Sequence, residues 1–508
     1  MTGSPPAAQE ARSALGRRLD AFQGMGGFSV IWFGQLVTLL GTEMVKYAFV
    51  VHTWAAGGQA TSVVGLLLAA FLPQLLLSPM AGVLVDRWPK KTVLLLTDLG
   101  GLIAFGALAA DYYAGDLRTW HVYLALVLSG AAGSFQYPAF SASIPLLVPR
   151  EKLQKATGMM SAAQTGTAIG GPALAGVVFA LDGLGPVLVA DVASFVVALA
   201  AILVVAVPDN REPAAERGDI KLWSETAEGI RYVFQTPSIR ALTLIFTVMN
   251  ISIIFGYAVL PAMILARSHN DAAPYAVVSV CVGLGGLLGG VALSSLRTPA
   301  SRVRVMLLAM AGVGLIDQVG LGAGRSLPSW CVAEFLGSML LPVASAMLTQ
   351  MMQTKIPPAM QGRAFGSSLF LSQGAAPITM IAAGPLADHY FEPAARTGSG
   401  FVGFLAPLVG RGPGTGMACM LVIAGVITAA ISLSGFGFRS LRDIDTLMPD
   451  IAEDEDEDAA AGTSGDADGD ADGDAGEVAV SEHSASPTRS AAAAVGASPG
   501  SVSGGGEA

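Results

Sequence analysis

Apolar residues dominate this chain in twelve long runs, each long enough to cross a bilayer as a helix, which takes about 20 residues. The runs cover approximately 28–54, 61–85, 92–114, 119–143, 156–181, 185–207, 238–265, 275–296, 303–323, 329–352, 364–387 and 413–436. Short polar connections separate them. The pattern predicts an all-α integral membrane protein with twelve transmembrane helices.

The positions of Lys and Arg orient the spans. With the N-terminus inside, the inner connections and termini hold 22 of these residues and the outer connections hold five: Arg118, Arg267, Arg325, Arg396 and Arg411. Lys46 alone falls within a span. Positive charge concentrates on the cytoplasmic side of membrane proteins, so both termini are expected in the cytoplasm and the protein in the cell membrane. The first apolar run follows Arg12, Arg17 and Arg18, and it is too long for a signal-peptide core. It reads as the first span.

Internal similarity divides the chain in two. Gly82-Val83-Leu84-Val85 at the end of span two is echoed by Gly290-Val291-Ala292-Leu293 at the end of span eight. Gly171-Pro172 in span five is echoed by Gly384-Pro385 in span eleven. Duplicated halves are a recurrent origin of transporters. The expected organisation is an N-terminal segment 1–27, a six-helix bundle 28–207, a linker 208–237, a second bundle 238–436 and an acidic tail 437–508. The linker carries an amphipathic stretch around Leu222–Phe234.

Composition adds two points. The chain is 53% hydrophobic and 13% charged, against about 25% charged in soluble domains. Its net charge of −10 is uneven: from Asp443 onward there are 17 acidic residues and one basic residue, which leaves the body at +6. The tail lacks an apolar pattern and is expected to be disordered. Asp468, Asp470, Asp472 and Gly473 begin like a calcium loop, but its twelfth position is Ala479, where that loop needs Glu. No metal, cofactor or nucleic-acid site is expected. Cys281, Cys331 and Cys419 read as small packing residues.

Charges inside apolar spans are costly and mark candidate sites. Glu43 and Lys46 in span one share a helix face at i, i+3 spacing. A carboxyl in a dry site favours its protonated form, and a paired lysine opposes this. The pair is therefore a candidate for coupling transport to protons, against the alternative of a static ion pair. Asp98 in span three is a second coupling candidate, with a bond to the basic 87–91 cluster as the favoured alternative. Asp191, Asp317 and Glu334 lie near span ends and are expected to be solvated or to cap helices. The neutral polar residues Gln136, Gln164, Asn250 and Gln373, with Gln350, are candidates for lining a cavity or bonding helices together.

Three motifs carry a family resemblance. Gly82-Val83-Leu84-Val85-Asp86-Arg87-Trp88-Pro89-Lys90-Lys91 resembles the loop signature between helices two and three of the major facilitator superfamily. Thr167 through Gly176 resembles that superfamily's antiporter signature, with Gly170, Gly171, Pro172 and Gly176 in matching places. Phe135-Gln136-Tyr137-Pro138, the 144–151 segment, Gln361-Gly362-Arg363 and Met448-Pro449-Asp450 are similar to the branch of enterobactin exporters and macrolide-efflux proteins. The resemblance implies two pseudo-symmetric six-helix bundles in the major facilitator fold. It also implies a conformational latch at Gly82, Asp86, Arg87, Lys90 and Lys91, and a tightly packed helix five that seals against leak.

The expected function is that of a proton-coupled exporter of a small amphipathic compound such as a drug, siderophore or secondary metabolite, acting as a monomer. Uptake or facilitated diffusion is the transporter alternative. A membrane-embedded enzyme is the alternative of another class; it would need clustered ligating residues, and the five His form no such set. No phosphate-binding Gly-rich loop with its lysine is present, which argues against ATP-driven pumping.

Overall fold

The computed structural model describes residues 25–207, 222–295, 301–448 and 450. The side chains of Val83, Asp86, 222–226, Ser295, Pro358, Ala359 and Asp445 are outside that description. The membrane-crossing helices are labelled in chain order. In the first bundle they are α1 (Met25–Gly57), α2 (Ala60–Arg87), α3 (Lys90–Ala114), α4 (Thr119–Leu147), α5 (Leu153–Asp182) and α6 (Leu184–Val204). The second bundle holds α7 (Pro237–Arg267), α8 (Ala273–Ser295), α9 (Arg302–Ala323), α10 (Leu327–Lys355), α11 (Pro358–Gly374, running on through Ala376–Leu386) and α12 (Thr415–Ser434).

Among the described residues, eleven helices are long and apolar enough to cross a membrane. The twelfth position belongs to α4, which has 29 residues. Its mean hydropathy is lowered by polar residues, of which Ser129 and Gln136 line a cavity. Most predicted spans agree with the observed helices to within a few residues, because bilayer thickness sets both.

The ends of α2 and α3, of α4 and α5, and of α8 and α9 lie on the face where the linker runs. The α10–α11 connection lies there too, and the remaining connections form the far face. The two faces are built differently. At the far face one apolar core spans both bundles, joining Tyr47, Phe49 and Val63 to Val259, Met263 and Met420. At the linker face there are two separate cores. One, around Phe28, Leu94 and Ile144, belongs to the first bundle. The other, around Ile239, Met249 and Met351, belongs to the second. Close side-chain packing and interhelical hydrogen bonds hold helices together in a bilayer, so the bundles are held together at the far face, where they share a packed core.

Two elements depart from expectation. An apolar helix, Gly400–Val409, lies in the α11–α12 connection, with Phe401 and Phe404 stacked and exposed. Residues 439–447, expected to open the disordered tail, form two short helices that bury Leu441 and Ile444. Just beyond them, Asp450 pairs with Arg302 at 2.7 Å and Lys355 at 3.1 Å, and accepts a bond from Thr354. Local apolar residues anchor this segment against α9 and α10. The rest of the tail, including the Asp468–Ala479 stretch, lies outside the described residues. The linker's amphipathic stretch is the helix Leu222–Gln235, whose Glu228 pairs with Arg363 on α11.

Candidate functional site

A cavity of about 570 Å³ opens in the first bundle between α1, α2, α4 and α5. Its wall is mostly apolar, with Leu39, Leu66, Phe71 and Phe140 among the lining residues. Against this wall stand Gln35, Glu43, Lys46, Gln136 and Gln164. Of the expected cavity residues, Gln136 and Gln164 are therefore in place. Asn250 and Gln373 belong to the other bundle and are not among the residues lining it.

The Glu43–Lys46 pair forms as its spacing predicts, with Lys46 Nζ 2.8 Å from Glu43 Oε1. Its surroundings differ from expectation. The side chains of Lys46 and Glu43 are 41% and 33% exposed, so the pair faces the cavity rather than a dry interior.

Asp98 is a fully buried acid of this bundle. Its two carboxyl oxygens accept bonds from Gln35 Nε2 at 3.0 Å and Gln136 Nε2 at 2.8 Å, and Gln136 also donates to Gln35 Oε1 at 2.9 Å. The favoured alternative, a bond to the basic 87–91 cluster, is not what forms. Asp98 turns into the bundle, while Lys91 reaches the carbonyls of Leu203 and Val205 at the end of α6. That is the helix end where a cation is favourable. Lys90 Nζ donates to the carbonyl of Val85. Gln35 escaped the sequence reading. A signal was available, since Gln35, Thr42, Glu43 and Lys46 fall on one α1 face at helical spacing.

The motif glycines have a packing role. A methyl at Gly171 would come within 2.5 Å of Glu43 Cβ, so α5 meets α1 at the level of the charged pair. A methyl at Gly176 would come within 2.7 Å of Ala276 Cβ on α8, across the boundary between bundles. Gly170 lies against Leu40. Helix α5 continues through Pro172 without a break. Its small residues thus let one helix contact a neighbour in each bundle.

Of the latch motif, Gly82 and Arg87 lie in the last turns of α2, and Lys90 opens α3. The side chain of Asp86 lies outside the description. Among the described residues, every side-chain hydrogen bond between the two bundles is at the far face. Tyr47 Oη donates to the carbonyl of Ala272 at 2.5 Å, and its ring stacks on Tyr275 at 5.0 Å. Trp54 Nε1 donates to Asn270 Oδ1 at 2.8 Å. His269 and Asn270 have left-handed backbones, with φ of 55° and 66°. Asn tolerates that region better than most residues.

The third contact is a helix cap supplied from the other bundle. Asp388, in a π-helical turn after α11, accepts bonds from the backbone N–H groups of Ala60 and Thr61 at 2.9 and 2.8 Å, and from Thr61 Oγ1 at 2.6 Å. These are free donors at the N-terminus of α2, where negative charge is favoured. Close approach is possible because Gly384 sits against Thr61, where a methyl would come within 2.7 Å of its Cα.

Asp191, Asp317 and Glu334 correct a further expectation. Rather than being solvated, they are 0%, 0% and 1% exposed. On helices apolar all round, the acidic residues turn inward to protein and away from lipid.

Macrolide efflux protein A of Streptococcus pyogenes is 25% identical over 363 residues, covering 71% of this chain and 89% of its own. Multidrug efflux pump Tap of Mycolicibacterium fortuitum is 25% identical over 375 residues, covering 72% and 90%. A crystal structure of a bacterial homologue of the human lysosomal transporter Spinster, inward-facing and unoccupied, superposes with a TM-score of 0.57 at 14% identity, over 82% of this chain and 98% of its own. A bacterial homologue of the iron transporter ferroportin, also inward-facing, gives 0.55 at 19% identity, over 80% and 98%. The family model of the Major Facilitator Superfamily matches residues 31–380. This multi-pass membrane protein is thus a transporter rather than an enzyme, and the chain belongs to the Major Facilitator Superfamily.

Proposed function

We propose that the protein is a proton-coupled exporter of a small amphipathic compound, working in the cell membrane with the linker face in the cytoplasm. The observation that carries this reading is the cavity. Its volume of about 570 Å³ is in the range of drug-sized sites, which combine apolar walls with a few placed polar groups. A neutral or cationic amphipath would lie on the leucine and phenylalanine wall and present its polar group to Glu43. Two relatives named as efflux proteins support export and make a macrolide the first compound to test.

In this reading Glu43 is the group that exchanges protons or cationic substrate, and Lys46 is its ion-pair partner. Substrate entering from the linker face competes for Glu43. Release at the far face, followed by protonation there, returns the carrier. Asp98, held by Gln35 and Gln136, is a second proton-carrying position. Asp86 and the basic residues after it latch the linker face when it closes, and Asp388 latches the far face when that is closed.

The test uses inside-out vesicles with an acidified lumen and a pH-sensitive dye. Adding a macrolide should release lumenal protons from wild-type vesicles and not from Glu43→Gln vesicles. Macrolide accumulation without proton movement would contradict coupling. Proton movement in the same direction as the macrolide would identify an importer.

A further inference from the structure

The second bundle contains an acidic site that the cavity does not reach. Asp317 lies in a π-helical stretch of α9, Val313–Gln318, a local geometry often found at functional positions. Tyr257, at the break in α7, donates its hydroxyl to Asp317 Oδ2. Glu334 on α10 lies near Asp317, close enough for each carboxyl to act on the other electrostatically. Gly337, one turn beyond Glu334, leaves room for Asp317, since a methyl there would overlap its side chain.

Three buried oxygens in this cluster have no partner: Asp317 Oδ1, Glu334 Oε2 and Ser338 Oγ. Both carboxyls are essentially inaccessible, at 0% and 1% exposure. The titratable groups facing them are Tyr257 from α7, Tyr275 and Cys281 from α8, and each other. Cys331 on α10 lies beside Cys281. Helix α12 packs against the π-helical stretch with Gly425 and Thr428, which carry no charge. Among the described residues, neither carboxyl has a cationic partner.

Two unpaired negative charges this close together and out of water would carry a prohibitive solvation cost. Adjacent carboxyls resolve this by holding one proton between them. We propose that Asp317 and Glu334 form a further proton-binding site, in which one proton is shared between the two carboxyls while the far face is closed.

The site is placed to sense that closure. Tyr275 lies within electrostatic reach of Glu334 on one side and Glu43 on the other. Its ring stacks on Tyr47 at the seam between bundles. Losing the shared proton adds a negative charge directly behind that seam, and separating the seam admits water to the pair. Proton occupancy and far-face closure therefore favour each other. This assignment depends neither on the direction of transport nor on Glu43 as coupling group.

The test is infrared spectroscopy of the full-length purified protein in lipid nanodiscs, at neutral pH with choline chloride as the salt. Wild type should show a protonated-carboxyl carbonyl band that Glu43→Gln leaves intact. Glu334→Gln and Asp317→Asn should each remove the same component, and the double variant should remove no more than either alone. No change in either single variant would overturn the proposal. So would a double variant losing twice as much, since that indicates two independent protons. Loss of the band when sodium chloride replaces choline chloride would overturn it too, by identifying a sodium site. If the carboxyl variants fail to fold, Tyr257→Phe keeps both acids and removes only the donor to Asp317. It should shift the band's frequency, and an unshifted band would count against the shared site.

Discussion

The two faces of this transporter differ in how the same two bundles meet. At the far face they share one apolar core, reinforced by the Tyr47–Tyr275 stack, the Trp54–Asn270 bond and the Asp388 cap on α2. At the linker face each bundle closes on its own core, and ionic contacts stay local, as with Asp450 between Arg302 and Lys355. A carrier must open each face in turn, so neither set of contacts can be overwhelming. Polar caps and glycine-mediated approaches suit that need, because each adds a modest and reversible increment.

The sharpest way to break the contrast is to wedge the far face apart. Gly384→Leu places a side chain where even a methyl would come within 2.7 Å of Thr61 Cα. We expect transport to fall at least tenfold at equal membrane abundance, with the far face held open. Unimpaired transport would show that α2 and α11 need not approach so closely.

Gly171→Ala acts inside the first bundle, where the new methyl would come within 2.5 Å of Glu43 Cβ. Overpacking of this kind costs about 1–3 kcal/mol. A lowered melting temperature with displaced Glu43 should follow, while the far-face contacts persist. A melting temperature equal to wild type would remove the packing account of the motif.

Asp388→Asn is gentler. Losing the charge at a helix N-terminus costs up to about 1 kcal/mol, which corresponds to up to about a fivefold shift between closed and open far faces. Spin labels at Gln59→Cys and Thr397→Cys in a cysteine-free background would read it as a larger long-distance population. An unchanged distribution would mean that the apolar core alone holds the face.

The smallest effect is expected at the linker face. Burial works against ionisation of Asp450, but bonds from Arg302, Lys355 and Thr354 outweigh it and hold the carboxyl below its ordinary range. A carboxyl lowered on folding stabilises the protein above its unfolded pKa, about 3.9. That contribution is lost as pH falls through the lower folded value. Wild type should therefore lose melting temperature more steeply than Asp450→Asn below about pH 4. Parallel profiles would show that this clamp contributes nothing.

The spans, their order and the Glu43–Lys46 pair were legible because each follows from length or local spacing. What was hidden depends on which side of a helix faces protein. Along α9 and the first half of α10 polar residues are few and scattered, so the pattern has no polar stripe from which to infer direction. Asp317 and Glu334 thus looked like solvated span ends and proved to be buried. The Asp98–Gln35–Gln136 triangle needs three helices brought together, and the Asp388 cap needs both bundles. Single segments can mark their members, as they do Asp98 and Gln136, but not which partners meet. The helical turns over residues 439–447 were missed because Leu441 and Ile444 are too few to stand out beside the acidic run that follows.

The central claim is that the two faces open in alternation, and paired distance measurements on one sample test it most directly. One label pair, Gln59→Cys and Thr397→Cys, reports the far face, and another, Glu151→Cys and Gln353→Cys, reports the linker face. Gly384→Leu, by holding the far face open, should lengthen the first distance and shorten the second together. If the far-face distance lengthens while the linker-face distance stays the same or lengthens with it, the faces are not coupled and the alternating account is wrong.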